Sequence, residues 1–318
     1  MFQQRRGSRK TPKLKREFGV KWRLPTDTAK LIDQRGGIVD NFYLKLNKYF
    51  LKNRDGDGFN YGSFKEIRFD RSNQLEVFKR IDDYFASLSS LYSDLFNFSM
   101  EVSTKLIIGI GSPSVYETGL TLHPIYGLPY IPGSTIKGAF RSYLLKKYCS
   151  DDLLKYTKKA EGVTEKEAGK LYQEFENEIF ERERWLKEIF GFQLEKEGEE
   201  GNDEEKSGKG KVIFFDAFPE NWIKIEKNIL NPHYPQYYRE ENGPKGYPTD
   251  DQLPVPIYFL VVKGNFKFSF RIEKEIVNPD FSCPNNLPIE KFLEKELKEM
   301  LREEGIGAKT AVGYGIFK

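Results

Sequence analysis

Gly305-Ile306-Gly307-Ala308-Lys309-Thr310-Ala311-Val312-Gly313-Tyr314-Gly315-Ile316-Phe317-Lys318 is the stretch on which the fold turns. Glycines at 305, 307, 313 and 315 frame one lysine and one threonine. Glycine lets backbone N–H groups approach a ligand that a Cβ would hold away. Successive N–H groups in such a turn form a concavity for anions, and Lys309 adds a positive charge. The stretch comes after a charged helical run over 289–304 and leads into a short terminal strand expected over 312–317. The physical reading is an anion-binding loop, with phosphate as the expected anion. Glycines that merely let the last strand turn sharply are the competing reading. A P-loop is excluded, because Ala308 stands where its second glycine belongs and a helix, not a strand, precedes the turn. A dinucleotide fingerprint fails for want of a βαβ unit.

Working outward from the loop, residues 98–109 alternate and are rich in β-branched side chains, which predicts a strand. A Gly/Pro-rich connection over 111–132 leads to a helix ending near 148, with Ser134 or Thr135 as its cap and Ile136, Phe140, Tyr143 and Leu144 facing inward. Charged helical sequence continues over 151–190, and 195–211 reads as a mobile Glu/Gly/Lys-rich loop. Residues 211–218 suit a buried strand, and 255–262 with 266–272 suggest a hairpin around Lys263-Gly264-Asn265. The order strand, helix, strand, strand, helix, strand predicts an α+β fold. Its topology is that of a ferredoxin-like (RRM-like) βαββαβ domain over 96–318, with a helical insertion at about 150–210. A Pro- and Tyr-rich loop over 228–254 is too long to be a mere connection.

Upstream, 1–95 reads as a basic arm and a mostly helical extension. Nine Lys and Arg residues between Arg5 and Arg23 face a single acid, Glu17. Such an arm fits phosphates or an acidic protein face, and equally a solvated tail. Residues 27–50 have helical character, with Leu31, Ile32, Phe42, Leu44, Leu46 and Phe50 as expected core positions. The acidic loop over 53–62 fails as an EF-hand, because Phe64 stands where the bidentate Glu belongs. A helix over 73–95 places Phe78, Ile81, Phe85, Leu88 and Tyr92 on one apolar face.

The 318 residues carry 51 Lys and Arg against 48 Asp and Glu, so bulk charge does not announce a nucleic-acid binder. No apolar run approaches the ~20 residues that span a bilayer, and the basic start lacks a signal peptide's apolar core. With two cysteines, Cys149 and Cys283, no disulfide framework is implied, and a cytoplasmic protein without cofactor or metal is the expectation.

A second motif is Pro129-Tyr130-Ile131-Pro132-Gly133-Ser134-Thr135-Ile136-Lys137-Gly138-Ala139-Phe140-Arg141. Its Pro-Gly turn brings Gly133, Ser134 and Thr135 to a helix N-terminus, where free N–H groups and the dipole favour phosphate. Lys137 and Arg141 stand four apart on one helical face and suit further phosphates. A capped helix with two solvated cations fits the same spacing.

The two motifs together resemble the RAMP superfamily of CRISPR-associated proteins, whose members carry a P-G-S/T-x-x-K-G-x-x-R segment and a C-terminal G-x-G-x-x-T-x-x-G-x-G loop. The stretch from Glu117 through Thr121, His123 and Tyr126 to Gly127, and Phe214-Phe215-Asp216-Ala217-Phe218-Pro219, look like the family of the sixth RAMP subunit of type III-B Cmr effector complexes. Asn231-Pro232-His233-Tyr234 and Pro254-Val255-Pro256 share that likeness. The resemblance implies a non-catalytic subunit in antiviral defence near the 3′ end of a guide RNA paired with target RNA. Its neighbours would be the repeating backbone RAMP subunit and another capping RAMP. Ser134, Lys137, Arg141, Lys309 and Thr310 would hold the sugar-phosphate chain. The 228–254 loop would sit where a thumb belongs, its Tyr234, Tyr237 and Tyr238 meeting RNA bases or a neighbouring subunit. Some members of the superfamily are ribonucleases using a histidine base. Here His123 and His233 each adjoin proline and have no sequence-adjacent partner, so both are read as structural or contact residues, with a ribonuclease processing the guide precursor, or the equivalent subunit of a type III-A complex, as the alternatives that the resemblance leaves open.

Overall fold

A computed structural model describes residues 24–34, 41–48, 67–70, 74–114, 116, 118–193, 207–232, 254, 256–273, 283–284 and 287–318. Its longest strand is β7, counted in chain order after β1 (Ile67–Asp70), β2 (Leu95–Glu101), β3 (Gly191–Gln193), β4 (Ser207–Lys209), β5 (Val212–Phe214) and β6 (Phe218–Leu230). β7 runs unbroken from Ile257 to Ile272, straight through the expected hairpin turn. The reason is its alternation, which continues from 262 to 268 through the expected turn. Leu260, Val262, Phe266, Phe268, Phe270 and Ile272 bury one face, while Lys263 and Lys267 keep to the other. Gly264 lies opposite Ile223, and a Cβ there would stand 2.8 Å from the Trp222 carbonyl oxygen, so its glycine serves a close approach and not a turn.

Around this strand an antiparallel sheet assembles in the order β1-β6-β7-β2, with β5 pairing to the end of β7. β6 carries an irregularity between Pro219 and Ile223. The terminal strand expected over 312–317 shrinks to one bridge, Val102 with Phe317, and Thr310–Val312 forms a 3-10 turn. Lys309 and Gly313, both left-handed, flank that turn and forbid extended chain. β3 and β4 pair separately, so the expected mobile loop ends in a strand; its 195–206 part lies outside the described residues.

The helices α4 (Gly133–Tyr148) and α8 (Ile289–Glu303) match their expected spans within a residue or two. Phe140, Leu144, Phe292, Leu293, Leu297 and Met300 are buried with the apolar face of β7. Glu296 lies fully buried in that stripe and is tolerated because it is paired, its carboxylate accepting from Lys147 Nζ at 2.7 Å and Tyr148 OH at 3.0 Å. The insertion between α4 and β3 folds as α5 (Ser150–Ala160), α6 (Glu165–Arg182) and α7 (Arg184–Phe190). Thr164 and Glu167 form a capping box at the start of α6.

In the N-terminal part are α1 (Thr26–Gln34), α2 (Phe42–Asn47) and α3 (Leu75–Leu91). Phe78, Ile81 and Phe85 are buried as the helical spacing predicts, but the helix stops at Leu91 and Leu95 already belongs to β2. Leu31 is 61% exposed, not core. Phe50, the 53–62 loop and 233–253 lie outside the described residues. Among the described residues no helix is long and apolar enough to cross a membrane.

Candidate nucleic-acid interface

The glycine loop is strapped at both ends to the chain that comes after β2. Ala308 N–H donates to the Ile107 carbonyl at 2.9 Å and Gly315 N–H to that of Lys105 at 2.8 Å. Gly305, Gly307, Gly313 and Gly315 all have positive φ. At Gly315 a Cβ would stand 2.0 Å from the Ile306 carbonyl oxygen, and at Gly307 2.3 Å from that of Ile107. These two glycines therefore serve the straps. Between the straps, Gly313 N–H donates to Thr310 O at 2.8 Å and Tyr314 N–H to Lys309 O at 3.3 Å, closing the turn on itself. The N–H groups of Thr310 and Ala311 begin the 3-10 turn, the position that a helical turn leaves without an internal acceptor.

Lys309 heads this turn at φ 61, ψ 34. Among the described residues it alone, apart from glycines, has positive φ. A left-handed residue before a helical turn is the geometry in which adjacent N–H groups form an anion nest. Ala308 and Tyr314 seat the loop on Ile107, Phe259 and Val261, the sheet face opposite α4 and α8. Tyr314 OH also accepts from Asn228 Nδ2 at 2.8 Å. Beside the loop, Lys105, Lys263 and Lys224 converge on Glu226, the first two at 4.0 and 3.9 Å. The bond from Lys224 holds the Glu226 carboxyl below the ordinary value of 4.5, against the opposing effect of burial.

In the second motif the first N–H is already taken by the chain itself. Gly133 N–H, first in α4, donates to Asp216 Oδ1 at 2.7 Å. Thr135 and Ile136 donate instead to the Pro132 carbonyl. Neither Ser134 nor Thr135 caps the helix: Pro132 holds the cap position, and the acceptor side chain comes from the corner between β5 and β6. A Cβ on Gly133 would lie 2.3 Å from the Phe214 carbonyl oxygen, so strand and helix end are in close contact. A carboxylate at the positive end of the helix dipole is favourable. The terminus thus holds an anion of the chain's own.

Lys137 and Arg141 turn toward the insertion. Arg141 Nη2 pairs with Glu176 Oε1 at 2.8 Å, and its guanidinium lies over the Phe180 ring at 4.9 Å. Burial first, and then the Arg141 charge, push the Lys137 ammonium below the ordinary lysine value. The motifs are not brought together. The glycine loop is strapped beside the bridge of Leu106 with Val262, whereas α4 begins against Phe214, which pairs with Phe270. Eight residues of β7 separate these points, roughly 26 Å at the usual strand rise.

His123 is a packing residue. Its ring stacks on Tyr126 at 4.6 Å and meets Tyr130 and Phe218 edge-on, while Nδ1 accepts from Tyr126 N–H at 3.3 Å. Burial lowers its pKa from 6.5, with the Asp216 charge opposing. His233, Tyr234, Tyr237 and Tyr238 lie outside the described residues. No cluster of three His, Cys, Asp or Glu side chains able to hold a metal occurs among the described residues. Sequence reasoning misses Asp216 as a cap, since no spacing links residues 83 apart. It also passes over Glu296, which is visible as an acid inside the apolar stripe of α8.

A model described as the RAMP superfamily matches residues 99–318, and the chain belongs to that superfamily. Within it, the chain is 33% identical over 264 residues to the CRISPR system Cmr subunit Cmr6 of Pyrococcus furiosus, covering 76% of this chain and 72% of that protein. It is 25% identical over 251 residues to the Cmr6 subunit of Saccharolobus solfataricus, covering 76% of this chain and 64% of the relative. Among solved structures, a chain of the Type III-B Cmr-beta bound to cognate target RNA matches 78% of this chain and 67% of its own length, at 23% identity and a TM-score of 0.49. The crystal structure of Cmr6 from Pyrococcus furiosus matches 70% of this chain and 96% of its own, at 26% identity and a TM-score of 0.33.

Proposed function

We infer that this chain is a non-catalytic RNA-binding and assembly subunit of a type III-B Cmr complex, working in the cytoplasm. It holds the 3′ region of the guide RNA by its sugar-phosphate chain while guide and target pair. Other Cmr subunits flank it, the repeating backbone RAMP subunit and a capping RAMP foremost. The observation that carries this reading is Lys309. A left-handed conformation costs an L-residue about 1–2 kcal/mol, and here it falls on the lysine that heads the turn at Thr310. Backbone strain of that kind points to a functional demand. Kinship with a Cmr subunit favours RNA over other polyanions as the ligand. Contacts made by N–H groups and one lysine position a phosphate without reading a base, as suits a subunit whose partner RNA is read by pairing. The packed ring of His123 supports a role without catalysis. The sheet itself fits a ferredoxin-like βαββαβ unit: β2, α4, β6, β7 and α8 come in order, and Phe317 stands in for the last strand. Residues 96–318 form that domain, with the insertion built upon it.

The test incubates the full chain with labelled guide-length RNA across a salt series, wild type beside Lys309→Ala, and scores both binding and integrity. Intact RNA is expected, bound whatever its sequence, with the salt slope reduced by about 0.7 in the variant. Cleavage at one defined position that vanishes in His123→Ala would overturn the reading, as would binding indifferent to salt.

A further inference from the structure

The insertion leaves a cleft of about 870 Å³ between α4, α6 and the β3–β4 pair. Three elements bring cations to its walls: Lys137 and Arg141 from α4, Lys170 from α6, and Lys209 from β4. Arg141 is held by Glu176 and Lys209 by Glu273 at 2.7 Å. Among the described residues, Lys137 and Lys170 have no ion-pair partner. Lys137 is also pressed by the neighbouring guanidinium, a repulsion that an incoming anion relieves.

The walls also carry Glu174 and Glu176, two acids against four cations, and they are aromatic as well. Arg141 lies over Phe180 and lines the cleft as a flat cation backed by a ring, its Nε buried without an acceptor. Half-buried Phe192 also lines the cleft, one face of its ring already taken by Lys187 at 4.8 Å. Rings and guanidinium planes are surfaces on which a base stacks regardless of its identity. The volume falls in the ~300–1,000 Å³ range of sites that enclose a small organic ligand. An acidic peptide would use the cations but leave the flat apolar walls idle, so the combination favours a nucleotide.

We propose that this cleft takes one nucleotide of a single-stranded RNA, its phosphate between Lys137 and Lys170 and its base against Arg141 and Phe192. The proposal rests on the RNA-binding reading above and adds to it a contact point built by the insertion, remote from the glycine loop.

The experiment uses the full chain with a short oligouridine containing 4-thiouridine. Wild type, Lys170→Ala, Lys170→Glu and Lys309→Ala are compared for salt-dependent affinity and mapped photo-crosslinks, with oligoglutamate as a second probe. Lys170 is exposed, so its substitution leaves the core untouched. The expected result is a crosslink in α6 or the β3–β4 pair, a salt slope lower by about 0.7 in Lys170→Ala, and a larger loss in Lys170→Glu. Binding that depends on Lys309 but not on Lys170, with crosslinks confined to the glycine loop, overturns the cleft and leaves the RNA reading standing. Binding of RNA by none of the proteins overturns both. Oligoglutamate bound through Lys170 while RNA ignores it assigns the cleft to an acidic protein segment and overturns the proposal.

Discussion

The glycine loop and the start of α4 are alike as sequence: each is a glycine-bearing turn with a hydroxyl residue and a lysine close by. In the folded chain they are chemical opposites. The loop keeps the N–H groups of Thr310 and Ala311 at the head of its turn, with Lys309 beside them. At the start of α4, the first N–H is taken by Asp216, and the terminus is packed under Phe214. A motif specifies a turn and the direction of its N–H groups. Whether an outside anion can reach them depends on what a distant part of the chain lays across.

The largest test of that contrast falls on the straps. Gly315→Val forces a Cβ against the Ile306 carbonyl in a left-handed backbone and is expected to cost about 3 kcal/mol or more. Gly313→Ala meets no atom within 4 Å and carries only the conformational cost, about 1–2 kcal/mol. Equal urea midpoints for the two variants would mean that the straps do not hold the loop. Next comes the closed terminus. Asp216→Ala removes the acceptor from Gly133 and should lower stability by about 1–2 kcal/mol, with Asp216→Asn losing less because an acceptor oxygen remains. Thermal melts that do not separate either variant from wild type would show the α4 terminus to be open after all. The smallest effect is the most pointed. Lys309→Gly relieves the left-handed strain, so stability rises by up to about 1 kcal/mol, partly offset by the freedom glycine regains when unfolded. RNA affinity falls in the same variant. A stabilised protein with undiminished RNA binding would strip Lys309 of its role.

Periodicity was the part of the sequence that could be read most surely. Phe78, Ile81 and Phe85 in α3, and Ile136, Phe140, Tyr143 and Leu144 in α4, recur at helical spacing and are buried. Composition was the poorer guide. Lys263-Gly264-Asn265 has the makeup of a turn, yet the in–out alternation on either side continues through it, and β7 obeys the alternation. The terminal strand failed for a related reason, since two left-handed residues around Thr310–Val312 outweigh the β propensity of Tyr314, Ile316 and Phe317. Leu31 is apolar and yet exposed, because in a short helix Ala29 and Ile32 supply the packed face. The turn geometry of the glycine loop was legible because its parts are contiguous. Asp216, the insertion-facing side of Lys137 and the lysines around Glu226 were not, because each is assembled from segments far apart in the chain.

The unbroken length of β7 also has a consequence in time. Within the main sheet β2, β5 and β6 all pair with it, and β1 joins through β6. During synthesis those strands leave the ribosome before the element that joins them exists. Leu95 waits for Arg271, and Ile225 for Val262. Until β7 has emerged, strand edges and the apolar faces of α3 and α4 stand exposed, the condition under which nascent chains aggregate or recruit chaperones. The sheet closes late, and its most vulnerable moment comes just before residue 272 is free.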